Sequence, residues 1–480
     1  MLVSVYYDTP DFLLRKARVT LRVRSGTGGK RVQTIKAEGD GAAGLFDRPE
    51  WEGEIDGEGP DLSAVAGTAL EPLMSTDVAR RLQPLFETRV ERTMFAPKLD
   101  GTEISVALDH GEIVGGGRAI PVAELELELM QGSAGAVFAF ASGLAEAVPV
   151  RLSVRSKADR GYALLDPGPI KPERAAPVRL DPDMATADAF RLIARSCLHQ
   201  LLANEPGVVA GAPEALHQMR VGMRRLRAAM SVFGAVVADG EIEAVKRELR
   251  WLAARLGPTR DLDVLIAETL APLRKAHPRR KDLAAVAAEA ERRRAAALAK
   301  TVAAVRSARF GRAMLAVTRW IEVGAWTADT EHAERRAMPV AAFAAEQLAR
   351  RRASILKRGR RLARLDAETR HEFRIRVKKL RYATEFFASL AETKTRRKRR
   401  DAALDAMRRL QDALGELNDI AVHETFVRGI VEAALPAAGR SFAAGLLLGH
   451  GEERTKPLLA AACRAFDELS EGRRYWEKAG

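Results

Sequence analysis

Three carboxylates and three leucines alternate in Glu124-Leu-Glu126-Leu-Glu128-Leu129. On an extended strand this pattern puts Glu124, Glu126 and Glu128 on one face and the leucines on the other. Such a row is either a solvated acidic face or a set of oxygen donors. Like charges side by side destabilise a strand unless something neutralises them. Nearby segments offer the opposite sign: Val19-Thr-Leu-Arg22-Val-Arg24 places both arginines on one face and Val19, Leu21 and Val23 on the other. Carboxylate oxygens suit hard cations such as Mg²⁺ or Mn²⁺, and basic side chains suit phosphate oxygens. Acidic and basic rows facing one interior describe a metal–polyphosphate site.

A second kind of chemistry sits further along. His217-Gln-Met-Arg220-Val-Gly-Met-Arg224-Arg225-Leu-Arg227 aligns without gaps with His371-Glu-Phe-Arg374-Ile-Arg-Val-Lys378-Lys379-Leu-Arg381, 154 residues on. Leu256-Gly-Pro-Thr-Arg-Asp261-Leu-Asp-Val264 aligns with Leu414-Gly-Glu-Leu-Asn-Asp419-Ile-Ala-Val422 at an offset of 158. At about 100° per residue, Met219, Met223, Leu226 and Met230 form a core stripe. His217, Arg220, Arg224 and Arg227 form a basic stripe beside it. The second copy repeats the stripe with His371, Arg374, Lys378 and Arg381. One such stripe is usually a solvated face. Its recurrence within one chain favours an anion site, because arginine forks bind phosphate oxygens in bidentate fashion.

The elements that carry these residues differ in class. Period-two segments dominate the first part: Val19–Arg24, Val32–Lys36 after a turn at Ser25–Gly29, Pro49–Glu52, Glu103–Asp109 and Ala119–Leu129. From Thr186 onward the chain is rich in Ala, Leu, Arg and Glu at helical period, so an all-α bundle with a duplicated half is expected. The Pro-rich stretch Asp166–Pro177 reads as the break between them. Residues 1–170 carry 19 Lys+Arg against 25 Asp+Glu, and the rest of the chain carries 59 against 39. The net charge of +14 therefore joins an acidic module to a strongly basic one, which points to a polyanionic partner for the second. Cys197 and Cys463 exclude a disulfide framework and fit no zinc motif. No apolar run approaches the ~20 residues of a membrane helix, and the N-terminus lacks a signal peptide's pattern. A cytoplasmic setting without membrane partners is expected. Sparse aromatics and the absence of a recognisable motif speak against nucleic acid. The run Lys394–Arg400 reads as an exposed loop or a helix end.

Tyr7-Asp-Thr-Pro10, Leu21-Arg-Val-Arg24, Gln33-Thr-Ile-Lys36, Arg48-Pro-Glu-Trp-Glu52, the Glu124–Glu128 strand and Ser156-Lys-Ala-Asp-Arg-Gly-Tyr162 resemble the CYTH family, the triphosphate tunnel metalloenzymes. The resemblance implies an antiparallel β-barrel tunnel over residues 1–166 that hydrolyses inorganic triphosphate with Mg²⁺ or Mn²⁺. It implies that Arg22, Arg24, Lys36, Arg92, Lys157 and Arg160 contact phosphate. Glu124, Glu126 and Glu128 match the metal-binding strand, with Glu50, Glu52 and Asp109 in support. Arg89 is the weaker candidate, because alternation sets it opposite Arg92. Family members open with a strand bearing Glu-x-Glu-x-Lys, which is not found before Tyr7. The expectation is a barrel short of its first strand, with unpaired edges. Either the natural start lies upstream or the domain is an inactive member, and the triphosphatase assignment depends on that strand.

The repeated histidine motifs resemble the CHAD family, the conserved histidine α-helical domain, over residues 180–475, with 167–179 as linker. The resemblance implies two pseudo-symmetric four-helix bundles and a basic channel for inorganic polyphosphate. The implied lining is His217, Arg220, Arg224, Arg225, Arg227, His371, Arg374, Lys378, Lys379 and Arg381. Arg376 departs from its counterpart Gly222 and is left out. The expected protein is thus α+β and multidomain: a triphosphatase tunnel coupled to a polyphosphate binder, with association to polyphosphate granules. The alternative is a catalytically inactive protein that binds polyphosphate and is targeted to granules.

Overall fold

The structure, a computed structural model, describes residues 1–476 apart from 27–28, 38–44, 46–47, 100, 167 and 169. Over 419–426, 437–444 and 446–453 it describes the helix backbone alone. The chain divides into two compact units: Met1–Lys171 with Met314–Arg319, and Pro172–Ala313 with Trp320–Gly480.

The first unit is an antiparallel sheet with short helices. Its strands are β1 (Leu2–Asp8), β2 (Val19–Ser25), β3 (Arg31–Ala37), β4 (Glu50–Ile55), β5 (Gln83–Phe95), β6 (Lys98–Leu99), β7 (Thr102–Gly115) and β8 (Arg118–Gln131). The main path runs β4-β3-β2-β1-β5-β7, and β8 pairs with β7. Among the described residues no ladder joins β4 to β8, so the sheet ends on two edges instead of closing. The period-two segments found in the sequence fall on these strands, with Pro49 one residue ahead of β4. The β7–β8 hairpin turns through Gly116 and Gly117, both at positive φ (58° and 73°), as a two-residue hairpin requires. Residues 27–28 of the Ser25–Gly29 turn lie outside the described residues.

Register shows how alternation sorts the faces. Thr34 pairs with Arg22 and Glu52, and Lys36 pairs with Glu50. Arg92 pairs with Asp109, which pairs with Glu124, and Ala107 pairs with Glu126. Directly opposed residues share a face, so these side chains form one polar field. Along the same face, Tyr6, Phe86, Val90, Ile113 and Val122 pack with Ala158 and Tyr162 into an apolar cluster. The other face buries Val19, Leu21 and Ile35 against Leu14, Val65, Leu70 and Val78. Here α1 (Leu13–Lys16) and α2 (Thr76–Arg81) lie, while α3 (Ala134–Ala147) and α4 (Lys157–Leu165) follow β8. The leucine face of β8 is only partly covered: Leu125 and Leu129 remain 38% and 40% exposed.

The second unit is helical: α5 (Thr186–Ala203), α6 (Glu205–Val209), α7 (Pro213–Val232), α8 (Ile242–Val264), α9 (Ala271–Ala276), α10 (Lys281–Arg306), α11 (Ala308–Val323), α12 (Ala333–Ala337), α13 (Val340–Gly359), α14 (Ala367–Phe386), α15 (Lys394–Ala434) and α16 (Ala437–Glu471). The duplication is visible in the backbone. Both ends of α7 and α14 fall at the 154-residue offset, and so do the first residues of α5 and α13. Thr186 N donates to Met338 O and Val340 N donates to Met184 O, each at 2.9 Å, so equivalent residues exchange equivalent hydrogen bonds. The equivalent Phe233 and Phe387 rings meet at 5.8 Å. Met219, Met223, Leu226 and Met230 are buried, as the periodicity requires. The Lys394–Arg400 run is a helix end, the first turns of α15, with Thr393 accepting from Arg396 N.

Candidate functional site

On the sheet, each base of the polar field meets an acid or a hydroxyl. Lys36 Nζ lies 2.7 Å from Glu50. Arg22 lies 3.8 Å from Glu50 and 3.6 Å from Glu52. Thr34 Oγ1 donates to Glu52 at 2.8 Å. Burial pushes the Glu52 carboxyl up, and the Thr34 hydrogen bond and Arg22 more than offset it, leaving its pKa lowered. Arg24 Nε donates to Ser4 Oγ at 3.2 Å. Burial and then the fields of Arg22 and Arg92 pull the Arg24 pKa down, so three guanidiniums share this part of the face.

The other half of the field is a knot around Asp109, which is fully buried. Arg92 forks onto it, Nε to Oδ1 at 2.7 Å and Nη2 to Oδ2 at 2.6 Å, and also reaches Glu126 Oε2 at 2.8 Å. Lys157 Nζ lies 2.8 Å from Asp109 Oδ2 and 2.8 Å from Glu126 Oε1, and pairs with Glu124 as well. Arg160 pairs with the second oxygen of Glu124. Burial pushes the Asp109 and Glu126 carboxyls up, but the neighbouring Arg92 and Lys157 leave both pKa values lowered. Burial opposes the Lys157 charge, and Glu126, Asp109 and Glu124 together leave its pKa raised. Asp109, Glu124 and Glu126 offer ligand atoms within 4.8 Å of one another. Hard oxygen donors at that spacing fit Mg²⁺ or Mn²⁺. Glu128, exposed opposite Ser105, lies outside this group, whereas Asp109, expected only in support, is at its centre. Arg89 pairs with Glu87 and Glu112, away from Arg92.

Lys157 and Arg160 depend on how α4 is held. Ser156 and Asp159 form a capping box at its start. A Cβ on Gly161 would stand 2.1 Å from the Phe86 ring, so only glycine lets the helix lie this close. Tyr162 OH donates to Asp8 Oδ2 at 2.9 Å. The buried Asp8 also accepts from Thr9, Leu14 and Arg15 backbone N–H groups at 2.7, 2.8 and 3.0 Å. Asp8, Tyr162, Ser4 and Thr34 were not singled out as site residues. Only their places in the Tyr7–Pro10, Gln33–Lys36 and Ser156–Tyr162 motifs could have flagged three of them.

In the helical unit the first stripe gathers His217, Arg220 and Arg224 with Arg260 of α8. Burial and then Arg260 depress the His217 pKa, while Glu214 alone among its neighbours raises it. Burial depresses Arg220 against the pull of Asp261. Arg224 Nε is buried without a hydrogen-bond partner. In the second copy His371 Nδ1 lies 2.5 Å from Asn418 Oδ1. Asn418 occupies the place of Arg260 at the 158-residue offset, so both histidines face the same repeat position. A Cβ on Gly257 would meet Arg220 Nη1 at 3.4 Å, and one on Gly415 would meet Arg374 Nη2 at 3.1 Å. The repeated glycines thus bring the backbone of the second block beside the guanidinium of the first in both copies. Arg260, Gly257, Gly415 and Asn418 were missed as site residues, although all lie in the second repeated block. The side chain of Asp419, quoted in that block, lies outside the described residues.

Two residues expected to line the channel serve elsewhere. Arg225 is 8% exposed, donates to Glu385 at 3.0 Å and lies over the Phe386 ring at 5.2 Å. Arg381 pairs with the same Glu385 and donates to Gln411 at 3.0 Å. Glu385 thereby ties α7 to α14, and Arg225 is a buried strut because it points about 80° or more away from every member of the stripe. Lys379 is exposed at the surface, and partial desolvation together with Arg351, Arg376 and Arg227 lowers its pKa. Gly222, the counterpart of Arg376, sits where a Cβ would meet Leu201 N at 2.8 Å, which explains that break in the repeat. Another ligand-like group, Asp329, Glu331 and His332, is internally engaged: His332 Nδ1 lies 2.8 Å from Asp329. Burial pushes the Cys197 thiol up to about 11, so it is no nucleophile at neutral pH.

The CYTH domain model matches residues 2–162, and the CHAD domain model matches residues 192–428. The chain is a CYTH–CHAD protein. The chain is similar to the inorganic triphosphatase of Haemophilus influenzae, 34% identical over 163 residues, which are 34% of this chain and 45% of the relative. The chain thus matches less than half the length of that curated relative. Its CHAD region is similar to the crystal structure of the CHAD domain from the plant Ricinus communis, 33% identical with a TM-score of 0.53, covering 63% of this chain and 98% of that one. Among the described residues, no helix of the CYTH–CHAD chain is long and apolar enough to cross a membrane.

Proposed function

We propose that the CYTH region hydrolyses inorganic triphosphate with a divalent metal, Mg²⁺ or Mn²⁺, and that the CHAD region binds inorganic polyphosphate. The observation that carries the first half is the Asp109–Glu124–Glu126 trio at metal-ligand spacing, ringed by Arg92, Lys157 and Arg160. The similarity to a protein named inorganic triphosphatase supports the same reading. Asp109, Glu124 and Glu126 would hold the metal, with Glu128 beside them. When bound, the metal neutralises phosphate charge and polarises the phosphoryl group under attack. Arg22, Arg24, Lys36, Arg92, Lys157 and Arg160 bind phosphate oxygens and orient the chain of phosphates across the face. Water forms the new P–O bond as the phosphoanhydride P–O bond breaks, and the bases stabilise charge on the departing diphosphate. Glu50 and Glu52 position Lys36 and Arg22.

The CHAD half rests on the duplicated stripe of His217, Arg220, Arg224 and His371, Arg374, Lys378, extended by Arg260. Residues 1–166 and 180–475 are the working modules, joined by 167–179, in a cytoplasmic protein recruited to polyphosphate granules. The test is release of phosphate from inorganic tripolyphosphate with Mg²⁺ or Mn²⁺, measured beside Glu126→Ala. Metal-dependent release that the variant lacks is expected. No release above the variant would remove the enzymatic half and, with long-chain polyphosphate still bound, would leave the binding-only alternative.

A further inference from the structure

The three carboxylates of the trio already surround a cation, and that cation belongs to the protein. Lys157 Nζ sits 2.8 Å from Asp109 Oδ2 and 2.8 Å from Glu126 Oε1, and is in contact with Glu124 Oε1. An ammonium has three N–H donors, and all three are used. The outer oxygens are held by other residues: Asp109 Oδ1 by Arg92 Nε, Glu126 Oε2 by Arg92 Nη2 and Glu124 Oε2 by Arg160. Glu124 and Glu126 therefore each turn one oxygen inward to the lysine and are anchored through the other by an arginine, while Asp109 Oδ2 meets both Lys157 and, at 2.6 Å, Arg92 Nη2.

We propose that Lys157 is the resident counter-ion of this trio and competes with the divalent metal for Asp109 Oδ2, Glu124 Oε1 and Glu126 Oε1, so that metal is taken up strongly only with a polyphosphate ligand that receives the displaced ammonium. The identity of that ligand rests on the function proposed above; the competition rests on the geometry alone. A divalent ion bonded to the three inward oxygens lies within a few ångströms of the ammonium position, and two cations at that separation repel strongly in a half-buried site. The lysine has somewhere to go only if an anion is present. Its side chain is 10% exposed and carries the ammonium on a flexible four-carbon stem. The helix itself is anchored independently by Tyr162 on Asp8 and by Gly161 against Phe86. Removing the ammonium leaves the arginine anchors in place, so the inward oxygens stay converged.

The experiment reads metal binding without catalysis. Mn²⁺ is titrated into the full chain free of phosphate, and free Mn²⁺ is followed by its electron paramagnetic resonance signal. Lys157→Met, close in length and uncharged, is expected to bind Mn²⁺ at the trio on the order of tenfold more tightly than the unmodified protein, a change typical of groups that tune metal ligands. Lys157→Arg, which restores the cation, is expected to return the affinity to the weak level. Calorimetry with inorganic tripolyphosphate in EDTA is expected to show weaker anion binding by Lys157→Met. Should that variant melt below the assay temperature, Lys157→Gln takes its place. Mn²⁺ affinity that is unchanged or weaker in a folded Lys157 variant overturns the competition. That result would leave the triphosphatase reading untouched if tripolyphosphate is still cleaved, and absence of cleavage would leave the competition untouched if the affinity rises.

Discussion

Two regions of this molecule gather basic side chains on one face, and they neutralise those charges in opposite ways. On the sheet, Arg22, Lys36, Arg92, Lys157 and Arg160 each pair with a carboxylate. In the helical stripe, neither Arg224 nor Arg227 pairs with a carboxylate among the described residues, and the pKa values of His217 and Arg220 are depressed by burial and like-charged neighbours. The difference is one between bases held in close ion pairs and a stripe in which two arginines, Arg224 and Arg227, have no carboxylate among the described residues.

The hardest blow to this contrast comes from removing an acid on the sheet. Asp109→Asn removes the most buried of the carboxylates that Arg92 and Lys157 share and leaves them Glu126 in common; breaking a buried ion pair costs up to about 3–5 kcal/mol. A calorimetric melt is expected to show the CYTH transition falling sharply while the CHAD transition stays. Protonation does the same work. With folded pKa values below their ordinary ones, Asp109 and Glu126 stabilise fully above about pH 4 to 4.5, and that stability is lost as pH falls through the lower folded values. An acid melt that takes the CHAD region first would contradict the contrast.

On the helical side, changing Arg220, Arg224, Arg374 and Lys378 together to alanine is expected to weaken long-chain polyphosphate binding by about 100-fold or more, given the strength of charge-assisted hydrogen bonds. The salt dependence of the remaining affinity should flatten as fewer counter-ions are released. Titration at several salt concentrations checks both, and unaltered affinity would reject the stripe as the site. A single change separates the two regions by sign. Arg224→Met relieves repulsion and an unmet buried Nε, so it is expected to raise the CHAD melting transition by the equivalent of ~1 kcal/mol, whereas Arg92→Met in the sheet must lower its own. Lowered stability in both would mean that the stripe is neutralised too.

Alternation made the polar face legible in the sequence, because register follows from period two once one face is buried. Helical repetition did the same for the stripe. Contacts fixed by tertiary packing were less legible. No spacing rule brings Asp109 of β7 to the centre of the trio or sets Glu128 outside it; that follows from the β7–β8 register and from where α4 delivers Lys157. Arg260 was hidden because it lies on another helix from His217, although the repeat that contains it was visible. Arg225 shows the reverse error: motif membership assigned it to the channel, while its angle on α7 turns it toward Glu385.

The smallest effect tests the charge around His217 most directly. His217 faces Arg260, Arg224 and Arg220, with Glu214 alone opposing them, and its pKa is held below the ordinary 6.5. In the free protein it is therefore neutral at pH 7, and the neutral form is the one the fold favours. A bound polyanion reverses the local field and raises that pKa, so binding takes up a proton. By linkage, affinity rises as pH falls from 8 toward 6. For one histidine the gain is limited to a few-fold over those two pH units, and His217→Gln should remove it while leaving affinity at pH 8 nearly unchanged. The sheet predicts the opposite behaviour. Asp109 and Glu126, held below their ordinary values, stay ionised through this range and Lys157, held above its own, stays charged, so these groups add no pH slope to anion binding between pH 6 and 8. A pH slope that survives His217→Gln would place a carboxylate, or His371, in the role assigned here to His217.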